Sequence, residues 1–221
     1  MRRISIPYKK WFGEMGLPDD RERRRIEAAK DIEDIIMLYF EILKQYRNIG
    51  TDGFGVAREV LVGEYIRLFG NSEALRNRAY EFADALNDVT RRNLQQYDDL
   101  NNLQTEQDTR DTEDAFVVSH GIPKSYWTSQ DRAMAIAENE ANTVVGCEEM
   151  EEAIEAGYQN KIWVTVGDNR VRDTHREVDG LEIPINEAFE VGDSLLMYPR
   201  DTSLGASPDE IDNCRCWLEY S

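Results

Sequence analysis

The chain has 221 residues, 41% of them apolar, with 26 Lys+Arg against 44 Asp+Glu and a net charge of −18. That is enough length for one large domain or two small ones with buried cores, and no apolar run approaches the roughly 20 residues that cross a bilayer. Residues 1–50 carry 11 basic and 9 acidic side chains, while the remainder carries 15 and 35. So acidic a body excludes a nucleic-acid surface spread over the whole molecule and leaves room only for a local basic patch. The three cysteines do not suggest a disulfide framework and fit synthesis in a reducing cytosol.

Residues 1–18, broken by glycine and proline around Trp11-Phe12, read as an arm or short helix rather than a core element, and no secretion signal is expected there. From Asp19 to Asn48, Ile26, Ala29, Ile32, Ile36, Tyr39, Leu43 and Tyr46 recur every three or four positions. This spacing predicts a long amphipathic helix ending at Gly50. Gly50, Gly53 and Gly55 read as a loop, and a second helix follows through Val60, Leu61 and Leu68-Phe69 to Gly70-Asn71. Ser72 is the expected N-cap of a third helix bearing Leu75, Ala79, Phe82, Leu86 and Val89. The polar stretch Asp98–Asp114 reads equally as a solvated helix extension or a linker, and is the expected domain boundary.

Phe116-Val-Val, Gly121-Ile-Pro123 and Tyr126-Trp127 return the chain to a core. Thr128 and Asp131 resemble a capping box, opening an alanine-rich helix through Ala133, Ile136, Ala137, Ala141, Val144 and Val145 to Gly157. The period then changes to two, with Ile162, Val164 and Val166 alternating with Trp163 and Thr165. Asp179-Gly180 signals a turn into Leu181–Ile185. Ser207-Pro208-Asp209-Glu210 reads as N-cap, first-turn proline and capping glutamate of a short helix, and Cys214–Tyr220 as the closing strand. The expected fold is α+β: long N-terminal helices over 1–115, then a module over 116–221 with one long helix on a small, mostly antiparallel sheet.

Several spaced residues in that module resemble the phage head-morphogenesis family, the Mu F-like minor head proteins. Glu140 lies on the helix and Trp163 on the strand, followed by Asp168, Arg170, Val171, Arg172 and His175, and then Asp179-Gly180. Phe189, Gly192, Tyr198-Pro199, Asp201, Gly205-Ala206, Glu210 and Asn213-Cys214-Arg215-Cys216 complete the pattern. The chain departs from it at Glu138-Asn139-Glu140, where the family often has Arg-Thr-Glu, and at Pro199-Arg200-Asp201, where it usually has Pro-Gly-Asp. The first 115 residues carry no matching motif. The resemblance implies a minor structural protein of a tailed-phage or prophage head. It would sit at the portal vertex and act in procapsid assembly and in DNA packaging or ejection. Its implied partners are the portal and other head proteins, and its implied locations are the host cytoplasm during assembly and then the head interior.

The same cluster admits an enzymatic alternative, a nuclease-like or toxin-like module. His175 would be general acid or base, Asp179 four residues on would orient it, and Arg170, Arg172 and Glu140 would flank it. The competing reading is a buried polar network that fixes the turn, with Glu140 paired to Arg170 or Arg172, and it is the one adopted: no catalytic residue, cofactor or metal is expected. Cys214 and Cys216 on one strand face, with His175 and a fourth ligand such as Cys147 or an aspartate, are a conceivable zinc set. Cys-x-Cys, however, is not the usual two-residue zinc spacing, and free cysteines are common core residues. Arg21, Arg23, Arg24 and Arg25, at a helix start that prefers negative charge, are the candidate local contact for DNA.

Overall fold

A computed structural model describes residues 18–48, 52–103 and 124–221. The arm before Pro18, the segment 104–123 with Phe116-Val-Val and Gly121-Ile-Pro123, and Gly50 therefore lie outside the described residues. In chain order the helices are α1 (Asp19–Asn48), α2 (Phe54–Phe69), α3 (Glu73–Leu103) and, after a 3₁₀ turn at Lys124–Thr128, α4 (Gln130–Ala156). Then come β1 (Asn160–Val164), α5 (Asp173–Glu177), β2 (Glu182–Pro184), β3 (Phe189–Val191), β4 (Ser194–Leu196), α6 (Pro208–Ile211) and β5 (Trp217–Tyr220). The fold is α+β, with long helices first and a small antiparallel sheet towards the C-terminus. The chain divides into two compact units, one of Asp31–Ala137 and the other of the residues up to Lys30 together with Glu138–Ser221.

The helical unit follows from periodicity. Ile32, Ile36, Tyr39, Phe40 and Leu43 of α1, Leu61, Val62 and Tyr65 of α2, and Leu75, Ala79, Phe82 and Leu86 of α3 are all buried. Each stripe repeats at the three-to-four spacing that lines one helix face. Glycine and serine do the punctuation. Gly70 ends α2 at φ 107° with its amide on the Ile66 carbonyl, and Ser72 Oγ accepts from the Leu75 amide at 3.1 Å. Gly55 is not loop but the second residue of α2, which begins directly after Gly53. The Asp98–Asp114 stretch is helical through Leu103. Polar groups within this unit have neighbours to match: Tyr39 donates to Asn87 Oδ1 at 2.9 Å. The buried Arg132 guanidinium donates to Thr90 Oγ1 at 3.1 Å and lies over the Trp127 ring at 4.8 Å and the Phe40 ring at 5.6 Å.

At the start of α4 the cap is Ser129, whose Oγ accepts from the Arg132 amide at 3.2 Å. Thr128, the expected cap, instead closes the 3₁₀ turn.

In the second unit the sheet runs β2-β1-β5, antiparallel throughout, with β3-β4 a separate hairpin. Lys161 pairs with Ile183 on one side and Tyr220 on the other, and Trp163 faces Leu218. The alternation in β1 is present, but its buried face carries Lys161 and Trp163, while Ile162 and Val164 are half-buried. Only Trp217–Tyr220 of the expected closing strand pairs; Cys214–Cys216 lead into it as buried irregular chain. α4 covers this end of the module. Asn142 Nδ2 donates to the Cys214 carbonyl at 3.1 Å, and a Cβ on Gly146 would meet the Tyr198 ring at 3.1 Å. The glycine lets that aromatic lie close against the helix.

Candidate functional site

His175 is the hub of the module. It sits on the short α5 and is 1% exposed. Its ring meets Trp163 edge-on at 5.6 Å and 85°, and Trp163 in turn meets Phe189 at 5.2 Å and 69°. Nε2 lies 3.1 Å from Glu210 Oε2, and Thr174 Oγ1 donates to that same oxygen at 2.9 Å. On the other side of the ring, Nδ1 lies 3.3 Å from Cys216 Sγ and 3.5 Å from Cys214 Sγ.

Each neighbour has a local reason for its position. Ser207 caps α6, accepting from the Asp209 amide at 3.3 Å with Pro208 following. Glu210, expected to close a capping box, instead turns its carboxylate to Thr174 and His175. The β3–β4 turn passes directly against it: Gly192 has φ 57°, and a Cβ there would stand 2.5 Å from Glu210 Oε1 and 3.2 Å from Thr174 Cγ2. Any side chain would both strain that turn and push the carboxylate away. Asn213, at φ 53°, bends the chain ahead of the two cysteines, and the Cys216 amide points to Cys214 Sγ at 3.5 Å.

The electrostatics follow from this packing. Cys214 is held well below the usual thiol range, chiefly by its hydrogen bond with Cys216, with burial opposing and His175 assisting. Cys216 is pushed up by Cys214 and by burial. Burial works against charge on His175, but the contact with Cys214 outweighs it and the imidazole is raised. Cys147, on α4 and outside this group, is pushed up to about 12 by burial.

The residues singled out from the sequence are only partly gathered here. His175, Cys214, Cys216 and Trp163 meet; Asp179 does not orient the histidine, because its Oδ1 accepts from the Thr165 amide at 2.8 Å and Glu210 takes the role. Gly180, at φ 75°, donates to the Trp163 carbonyl at 2.8 Å and completes the turn. Glu140 is buried on α4, whereas Arg170 is exposed and Arg172 donates to the Asp212 carbonyl at 2.5 Å. The arginine that engages a carboxylate across the module is Arg215, which meets Asp168 through two bonds of 2.7 and 2.6 Å. The Arg215 guanidinium holds Asp168 down to about 2.

Tyr198 and Pro199 are buried beside α4, and Arg200 follows at φ 71°. Its guanidinium donates to Asn139 Oδ1. The two positions that depart from the family pattern are therefore hydrogen-bonded to each other. A left-handed arginine costs on the order of 1–2 kcal/mol relative to the usual glycine, and this contact offsets it.

Of the four arginines near the start of α1, Arg21 pairs with Glu149. Arg24 reaches Glu152 at 2.9 Å and Glu148 at 3.4 Å, and Arg25 is 1% exposed. Arg23 is the exposed one. Two of the four, Arg21 and Arg24, are thus paired with glutamates near the end of α4.

Two residues that carry weight here have no place among the sequence motifs, Thr174 and Lys161, and Arg215 stands in the closing motif without its partner Asp168 being signalled. Lys161 is fully buried, donates to the Met197 carbonyl at 2.7 Å and lies 5.4 Å over the Phe189 ring. Its burial lowers the ammonium to about 8. Only its alternation with Trp163 signalled the buried face.

A family model described as Phage Mu protein F like protein matches residues 84–219, more than half of the chain. The match starts within α3, earlier than the motifs alone reach. Among curated proteins the chain is 34% identical over 103 residues to an NAD(+)--arginine ADP-ribosyltransferase, EFV, of Enterococcus faecalis (strain ATCC 700802 / V583). The similarity covers 45% of this chain and 20% of that protein, so the chain spans about a fifth of its relative's length. No solved structure matches.

Proposed function

The chain belongs to the Phage Mu protein F-like family of head morphogenesis, and from that membership we propose that it is a minor head protein built in at the portal vertex. In this reading it acts in procapsid assembly and in DNA packaging or ejection, and enters the head interior from the host cytoplasm. Residues 1–115 dock on portal or capsid proteins, and residues 116–221 form the module that the family motifs mark. The match over residues 84–219 carries the proposal. Helix faces with exposed apolar side chains, such as Leu38 on α1 and Tyr80 and Val89 on α3, suit packing against partner helices. No helix among the described residues is long and apolar enough to cross a membrane.

The nuclease-like or toxin-like alternative draws little from the geometry. The cavity at His175 has a volume of about 20 Å³, while pockets that hold small-molecule ligands run to roughly 300–1,000 Å³. The ADP-ribosyltransferase similarity reaches only 20% of that protein, and its activity is not carried over. Co-expression with a portal protein from a related phage tests the proposal. The expected result is a co-purifying complex that is lost on deleting residues 1–115. Failure to associate with any head protein, together with RNA or DNA degradation that His175→Ala abolishes, would replace the proposal with the enzymatic reading.

A further inference from the structure

Three metal-binding atoms converge in the module. His175 Nδ1 lies 3.3 and 3.5 Å from the sulfurs of Cys216 and Cys214, and all three atoms lie within 4.8 Å of one another. A tetrahedral Zn²⁺ with bonds of about 2.3 Å to sulfur and 2.0–2.1 Å to nitrogen holds such atoms about 3.5 Å apart. We propose that His175 Nδ1, Cys214 Sγ and Cys216 Sγ bind one Zn²⁺ ion, which ties α5 to the segment entering β5. This goes beyond the assembly role and does not depend on it.

The surroundings fit a metal site on a second, independent ground. A ligating histidine gives its remaining N–H to a carboxylate, which fixes the tautomer and turns the other nitrogen's lone pair to the metal. Here Nε2 faces Glu210 Oε2 at 3.1 Å, and Thr174 anchors that oxygen at 2.9 Å. Gly192 leaves the space in which Glu210 sits. The Cys216 amide points to Cys214 Sγ, a contact that steadies a ligating thiolate.

Two thiolates and one neutral imidazole offset the charge of the ion, and any proton that these ligand atoms still hold passes to solvent on binding. This soft set selects zinc over magnesium or calcium. Beside the three ligand atoms is a cavity of about 20 Å³, lined also by Val166, Arg170, Val171, Arg172, Asn213 and Arg215, with room for a single water as a fourth ligand. Cys147, the sulfur that the sequence offered as a fourth ligand, is not part of the group. The proximity of His175 to both sulfurs is what sequence spacing alone does not supply.

The test uses the full chain, purified anaerobically without chelator or histidine tag. Elemental analysis is expected to find one zinc per chain. Stripped protein given Co²⁺ is expected to develop the thiolate-to-cobalt charge-transfer band and the visible bands of a tetrahedral site, both abolished by Zn²⁺. Cys214→Ser and Cys216→Ser should lose the metal. Should those variants fail to fold, Glu210→Gln retains all three ligands and should weaken zinc about 10–100-fold in competition with a chelator. The proposal is overturned by wild-type protein with neither stoichiometric zinc nor a cobalt–thiolate band. It is also overturned by undiminished zinc in folded Cys214→Ser, or by a Cys214–Cys216 disulfide in the anaerobic preparation.

Discussion

The helical unit of Asp31–Ala137 and the unit containing the sheet are stabilised in different ways. In the first, stripes of isoleucine, leucine and aromatic residues bury one face of each helix, and a few polar bonds such as Tyr39 to Asn87 finish the core. In the second, strands of three to five residues bury too little apolar surface to fix their loops. A single tryptophan, a buried histidine, a glutamate and two sulfurs take over that work. Packing in the first unit is spread over many similar residues, whereas in the second it is concentrated on a few unlike ones. Single substitutions should therefore be felt more sharply in the second.

Trp163→Ala should have the largest effect. Truncating this fully buried ring removes the contacts to His175 and Phe189 and should cost about 3–5 kcal/mol in chemical denaturation. A loss below about 1 kcal/mol would show that the module is not organised around it. Gly192→Ala comes next, at roughly 1–2 kcal/mol from the left-handed backbone, with further loss as the new methyl displaces Glu210 from His175. The His175 imidazole resonances in NMR spectra should move with it.

Lys161 sharpens the contrast through pH. Its folded value is depressed to about 8 from an ordinary 10.5. Below about pH 8 both folded and unfolded chains carry the charge, and the folded one holds it at a cost. Between about 8 and 10.5 the folded chain has released its proton while the unfolded chain retains it, so stability rises with pH across that window. Denaturation midpoints should show this rise in wild type, and Lys161→Met should flatten it.

In the helical unit, Tyr39→Phe should cost only about 1 kcal/mol, because one hydroxyl bond is lost from a core otherwise intact. Arg24→Ala, at a half-buried ion pair of the other unit, should change stability by less than about 1 kcal/mol.

The same contrast explains what could be read from the chain. Helices α1 to α4 were legible because a face repeated over four or more turns outweighs local detail, and Gly70 and Ser72 mark a stop and a start chemically. The cap of α4 was misplaced by one residue because Thr128 and Ser129 are both good caps and only the Arg132 amide distinguishes them. In the module the motif residues were visible, but their partners were not. Asp179 looked like the orienting carboxylate because it lies four positions from His175, yet α5 ends at Glu177 and the helical spacing does not extend that far. Glu210, 35 residues away, supplies the carboxylate. Asp168 and Arg215, 47 residues apart, meet only once β5 is beside β1. Lys161 was overlooked because a strand lysine ordinarily faces water.

Locating this chain in assembled particles tests its proposed place in a phage head most directly. Electron cryo-microscopy of particles carrying a labelled copy is expected to find the protein in low copy number, inside the head at the portal vertex. Particles that assemble, package DNA and contain none of it would contradict the account.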